Sequence, residues 1–217
     1  MYKRQILGDT KRTGWLEVGS AQTYRVGTRL WELASRSASA ESLAAAAIPF
    51  MSDVHAVLRQ HVHVGVVEGR DVLFAERIAA SGSTVPLRSI VAGRLPLHRS
   101  ATGLALLSQC SAEVVAQYHR AAWVPDAAGD PAALTATAER FAADLAVFAR
   151  RGYAVQRERI DQGTGGVAVP LKVPPGQRGA ALGTVLPLAE MRDADLPAIV
   201  QTLRVAGHGI SRALGAL

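Results

Sequence analysis

A single cysteine, Cys110, stands in this 217-residue chain, so no internal disulfide can form and a cysteine-rich zinc site is excluded. No apolar run approaches the roughly 20 residues that span a bilayer. The first nine residues, Met1-Tyr2-Lys3-Arg4-Gln5-Ile6-Leu7-Gly8-Asp9, lack the apolar stretch of a signal peptide. The alanine run at 44–47 lies between Glu41 and Asp53 and reads as helix. These absences point to the cytoplasm and away from a membrane. There is no glycine-rich phosphate loop, no nucleophile elbow, no internal repeat and no low-complexity linker. His98-Arg99-Ser100 offers a histidine beside a serine, but no acidic orienter is evident, and Ser100 has a simpler task as a helix N-cap. No catalytic residue and no enzymatic activity are expected.

His61 and His63 share one strand face, the i,i+2 spacing that can hold a metal. No acidic or cysteine partner stands at a fixed short spacing. The pair therefore reads as two surface or edge-strand histidines, and neither a metal nor a cofactor is expected. Cys110 reads as a small packing residue at a helix end.

What is present is a foldable chain. Apolar residues make up 49%, enough for a sizeable core, and charged residues 19%, too few for disorder. The length suits one full domain with a small appendage. The formal net charge of +6 suits nucleic acid or an anionic ligand. Its scattered arginines suit an arginine-rich soluble protein equally well.

Residues 1–27 read as the end of a helix, with Tyr2, Ile6 and Leu7 on one face, then Thr13-Gly14 as its stop and a short hairpin. Val26, Leu30 and Leu33 repeat at helical spacing to about Arg36, and 37–40 breaks the pattern as a domain boundary. A helix is expected over 41–59 with a kink at Pro49. A hairpin is expected over 61–78 with its turn at 68–71, and a further strand over 85–90. Helices should start at Ser100 and Ser111, and a longer one at Asp130-Pro131 carrying Leu134, Ala138, Phe141, Leu145 and Phe148 and closing at Arg150-Arg151-Gly152. The glycine-rich Gly163-Thr164-Gly165-Gly166 reads as a flexible turn. Strands over 153–160, 166–173 and 180–186, then a helix from Asp193, complete an α+β chain on a mostly antiparallel sheet flanked by helices.

Two segments carry a family resemblance. One is Gly93-Arg94-Leu95-Pro96-Leu97-His98-Arg99-Ser100-Ala101-Thr102-Gly103-Leu104-Ala105-Leu106-Leu107. The other is Arg151-Gly152-Tyr153-Ala154-Val155-Gln156-Arg157-Glu158 with the later Gly165-Gly166-Val167-Ala168-Val169-Pro170-Leu171. In this order and spacing, with Tyr24-Arg25-Val26-Gly27 upstream, they resemble the IclR-type bacterial transcriptional regulators. The resemblance implies a GAF/profilin-like effector-binding domain over 41–217, a linker and dimerisation helix over 28–40, and over 1–27 a remnant of a winged helix-turn-helix. In that remnant Lys3, Arg4, Lys11 and Arg12 flank the end of the recognition helix and are the candidate DNA-phosphate contacts.

The resemblance also places a small-molecule pocket at Ala101, Thr102, Gln156, Gly166, Gly183 and Val185. The chain departs from the family at several of these points. Leu104 stands where a lysine is common, Gln156-Arg157 where an acidic pair is common, and Gly166 where many members have cysteine. Gly183 and Val185 stand near positions that often carry serine. Only Thr102 and Gln156 keep a polar side chain, which implies a larger and more apolar effector: an aromatic or otherwise bulky carboxylic acid. The expected function is a ligand-responsive transcriptional regulator that works as a homodimer or tetramer. It would bind a double-stranded DNA operator where the helix-turn-helix is complete in the native protein. The alternative is an effector-sensing, dimerising protein that does not itself bind DNA.

Overall fold

The computed structural model of the protein describes residues 2–19, 23–27, 29, 38–81, 85, 91–123, 134 and 136–217. They divide into two compact units, 1–42 and 43–217.

The first unit contains α1 (Tyr2–Arg12), β1 (Leu16–Val18) and β2 (Tyr24–Val26). Gly14, at φ 77°, takes the left-handed conformation that ends α1. The two strands pair antiparallel, Leu16 opposite Val26 and Val18 opposite Tyr24. The expected helix over 28–36 lies, apart from the helical Arg29, outside the described residues. Within the expected break at 37–40, residues 38–40 are helical and open α2 (Ala38–Leu58). The local sequence is alanine-rich, and alanine has the highest helix propensity. Pro49 lies inside α2 without ending it. Proline deletes one main-chain donor, while Ala47 and Met51 on either side are fully buried and hold the helix against the core.

The second unit is built on a six-stranded sheet in the order β5-β4-β3-β8-β7-β6. The strands are β3 (His61–Glu68), β4 (Asp71–Ile78), β5 (Arg94–Pro96), β6 (Ala154–Arg157), β7 (Thr164–Leu171) and β8 (Ala180–Pro187). Every pairing is antiparallel. On one face, Leu43, Ala47, Met51 and Val54 of α2 join Ile199, Leu203, Ala206 and Ile210 of α6 (Leu196–Ala213) over Val62, Val64, Val167 and Leu182. The other face carries α3 (Ala101–Leu107), α4 (Ala112–Ala122) and α5 (Ala138–Arg151). Their core is Leu106, Leu107, Tyr118, Phe141 and Leu145, packed with Phe74. The layers are helix, sheet, helix, and period-2 strands alternate between the two cores.

Several sequence expectations shift. The expected helix start at Asp130-Pro131 lies outside the described residues; Leu134 forms an isolated parallel bridge with Trp123, and α5 begins only at Ala138. Thr137 supplies the cap, its hydroxyl accepting from the Arg140 amide at 3.3 Å. The expected closing cap holds: Gly152 is left-handed at φ 72° and its amide bonds the Phe148 carbonyl. β6 stops at Arg157 rather than at 160. Thr164, Gly165 and Gly166 belong to β7 instead of a turn, leaving Gly163, at φ 69°, as the turn residue. Of the strand expected over 85–90, 86–90 lie outside the described residues and Val85 is in a bend. No helix among the described residues is long and apolar enough to cross a membrane.

Candidate effector-binding site

Sheet register sets the site. One cross-strand row runs His61, Val185, Gly166, Gln156, and the next runs His63, Gly183, Ala168, Ala154. Both rows face α3. Four of their members, Gly166, Gly183, Ala168 and Ala154, are small enough to let that helix settle close to the sheet. A Cβ added at Gly166 would stand 3.2 Å from the Ala101 Cβ. One added at Gly183 would stand 2.6 Å from Thr102 Oγ1 and 2.9 Å from His63 Nε2. β4 completes the floor through a bulge: the register slips between Val64 and Gly65, placing Phe74 opposite Gly65 and so on the face of His63. The Phe74 ring meets the His63 ring edge-on, centroids 4.9 Å apart at 86°.

α3 is fixed at its start. Ser100 Oγ accepts from the Gly103 amide at 3.0 Å, the N-cap expected from the sequence. Gly103 passes so close to the Leu97 carbonyl that any Cβ there would collide with it. The neighbouring His98 is occupied by Tyr118, whose hydroxyl lies 2.7 Å from Nδ1.

Between α3 and the sheet lies a cavity of about 550 Å³, counting the part open to solvent. Its buried end is His63, Phe74 and Thr102, with the half-buried Leu95 beside them. Ala101, Gly166 and Val185 form the middle, and Gln156, Glu158, Arg159 and Asp161 the mouth. Five of the six residues expected from the sequence, Ala101, Thr102, Gln156, Gly166 and Val185, therefore line one space. Gly183 is not on its wall; it lies against the hydrogen bond between His63 Nε2 and Thr102 Oγ1, 2.7 Å long. At the mouth, Glu158 takes a left-handed backbone (φ 54°), and its carboxylate accepts from the Gly163 amide at 3.0 Å. This tight turn after β6 brings Arg159 to the opening.

The histidines correct the sequence reading. Neither is on the surface or at a sheet edge: both are 4% exposed on the central strand β3. His61 Nδ1 accepts from the Ala80 amide at 2.9 Å, and its Nε2 lies 3.2 Å from the Val85 carbonyl. Burial lowers the His61 pKa, against the pull of that carbonyl. Burial, with His61 adding to it, pushes His63 down to about 4, so its ring is neutral at pH 7. Among the described residues no three histidine, cysteine or carboxylate side chains gather as metal ligands.

Sequence reasoning missed His63, Phe74 and Arg159 as wall residues. Alternation put His61 and His63 on one strand face, but nothing in the sequence told which face met α3. The candidate DNA contacts lie on α1. Lys11 and Arg12 are exposed in its last turn, Arg12 in an ion pair with Asp9 at 2.8 Å. Lys3 and Arg4 are in its first turn, with side chains outside the described ones.

Comparison with known proteins agrees with this architecture. Residues 36–212 match the family model of the bacterial transcriptional regulator IclR C-terminal domain. The chain is 27% identical over 196 residues to the HTH-type transcriptional regulator XynR of Escherichia coli K12, covering 88% of this chain and 75% of that one. It superposes with a TM-score of 0.84 on a crystal structure of an IclR homolog from Microbacterium hydrocarbonoxydans complexed with 4-hydroxybenzoate. The two are 33% identical, over 100% of this chain and 86% of that one. Thermotoga maritima IclR shares the fold with a TM-score of 0.76 at 19% identity, over 99% and 84% of the two chains. On the match over 36–212 and the shared fold, the chain belongs to the IclR family of bacterial transcriptional regulators.

Proposed function

We propose that this regulator senses a small aromatic carboxylic acid in the cavity between α3 and the sheet, and that the acid changes its hold on double-stranded DNA. The observation that carries the reading is the wall itself. Ala101, Thr102, Gln156, Gly166 and Val185 line one cavity whose exposed wall is mostly apolar. Such a space selects a flat apolar body and orients it with a handful of hydrogen bonds. At the mouth stand Gln156 and Arg159, donors for a carboxylate, beside Asp161 and the carboxylate of Glu158, which accepts from the Gly163 amide. The IclR homolog from Microbacterium hydrocarbonoxydans, 33% identical, was crystallised with 4-hydroxybenzoate, which supports the same ligand class here.

As a member of a regulator family the protein acts by binding and not by turnover, and its place of action is the cytoplasm. It self-associates as a homodimer or tetramer. Val57 of α2 and Val205 of α6 are 68% and 64% exposed beside Phe50, an apolar groove of the kind that partners cover. Light scattering that returns the 22.9 kDa mass of one chain at micromolar concentration would overturn self-association.

Isothermal titration of the purified protein with benzoate, hydroxybenzoates, pyruvate and glyoxylate tests the effector class. Saturable binding of the aromatic acids ahead of the two- and three-carbon acids is expected. Tighter binding of glyoxylate or pyruvate than of every aromatic acid would overturn it.

A further inference from the structure

The buried end of the cavity holds a polar group whose hydrogen bonding is incomplete. His63 is buried, with Nε2 committed to Thr102 Oγ1 at 2.7 Å, while Nδ1 is buried with no hydrogen-bond partner among the described residues. Buried polar atoms in native proteins are nearly always paired, and an orphan on the wall of a cavity marks where a ligand or water completes the pairing. The absence of a side chain at Gly183 makes this arrangement possible. A Cβ there would press on both members of the His63–Thr102 pair.

We infer that His63 Nδ1 is a specificity-determining contact that reads an uncharged hydroxyl at the end of the effector opposite its carboxylate. The inference rests on the aromatic-acid reading above and deepens it. The chemistry favours a hydroxyl over other groups. The Nε2–Thr102 bond is compatible with either tautomer: Nε2–H donates to Oγ1, or the threonine hydroxyl donates to a bare Nε2. In the first case Nδ1 accepts, in the second it donates. A hydroxyl answers both, because it carries a donor and acceptor lone pairs. A second carboxylate does not fit. Among the described lining residues it would lie between Phe74, Leu95 and an uncharged imidazole, with no cation beside them. The charged end of the acid belongs at the other side, where Gln156 and Arg159 open to solvent. The class that fits is an aromatic monocarboxylic acid with a hydroxyl across the ring.

The test compares benzoate, 4-hydroxybenzoate and benzene-1,4-dicarboxylate by titration calorimetry on the full chain and on His63→Phe, which keeps a ring of similar size. The wild-type protein is expected to bind 4-hydroxybenzoate roughly tenfold more tightly than benzoate, and the dicarboxylate most weakly. In His63→Phe the preference for the hydroxyl should fall to about one, with benzoate held within about threefold of wild type. A second measurement needs no variant. With histidine labelled by ¹⁵N, one Nδ1 resonance should move on addition of 4-hydroxybenzoate and stay in place with benzoate. An unchanged preference in His63→Phe, or histidine Nδ1 signals that respond alike to both acids, would overturn the assignment and leave the effector class standing. Failure of the wild-type protein to bind either acid would overturn the effector class, and this assignment with it.

Discussion

His63 shows how much one residue in a packed site can decide. Its ring is held by Thr102 on one side and by the edge of Phe74 on another, over a position, Gly183, that must stay without a side chain. Burial keeps the ring neutral, with a pKa near 4 in the folded protein. An unfolded chain returns it to about 6.5. Between those values the unfolded state binds the extra proton, so stability rises with pH across the window and is flat above it. The folded protein should therefore lose stability as pH falls from about 6.5 toward 4, by on the order of 3 kcal/mol from this residue. Urea midpoints taken at pH 7.5, 6 and 5 for wild type and His63→Phe check this. The wild-type curve should fall more steeply, and parallel curves would show that His63 does not carry the effect. The pocket positions Ala101, Thr102, Gln156, Gly166 and Val185 were legible because a family pattern placed them. His63 was not, because a strand's alternation gives two faces but not which lies under a helix, and a buried histidine needs partners that the sequence sets 39 residues away.

Elements show the same division between local and long-range information. Signals that act within one turn were readable: Ser100 and Ser111 cap their helices, and Gly152 closes α5 in the left-handed conformation. The start of α5 was misplaced because Asp130-Pro131 offers a good local start signal, while the cap in use is Thr137. Phe141, Leu145 and Phe148 keep the expected stripe from that later start, because an i, i+4, i+7 spacing does not depend on where the helix begins. Thr137→Ala removes the acceptor of the Arg140 amide and should cost about 1 kcal/mol. The midpoint of thermal or urea unfolding reads this, and no change would mean that solvent caps the helix equally well. β6 and β7 were misjudged for a different reason. Pairing of Gln156 with Gly166 and Arg157 with Gly165 draws the glycines into the sheet, where two strands supply the order that their own propensity does not.

At the scale of the molecule, the fold class followed from the alternation of strand and helix patterns, but the operation of a regulator depends on coupling between separate binding events. The first unit offers exposed cations at the end of α1, Lys11 and Arg12, and the second offers the cavity. The ion pair of Arg12 with Asp9 is exposed, so breaking it for a phosphate costs little. If these residues meet the DNA backbone, the salt dependence of duplex binding should reveal it: Lys11→Ala should flatten the slope of log affinity against log salt by about one. An unchanged slope would remove Lys11 from the interface. Coupling is the stronger demand. If an aromatic acid alters affinity for a duplex selected from a random library, the duplex must alter affinity for the acid by the same factor, and allosteric couplings in general span about 5- to 150-fold. Fluorescence anisotropy of the labelled duplex with and without saturating acid gives one side of the cycle. Calorimetric titration of the acid with and without saturating duplex gives the other. Equal factors different from one are the expected result. A factor of one on both sides would mean that the cavity binds its acid without biasing the DNA, leaving an effector-sensing protein whose output runs through its partners.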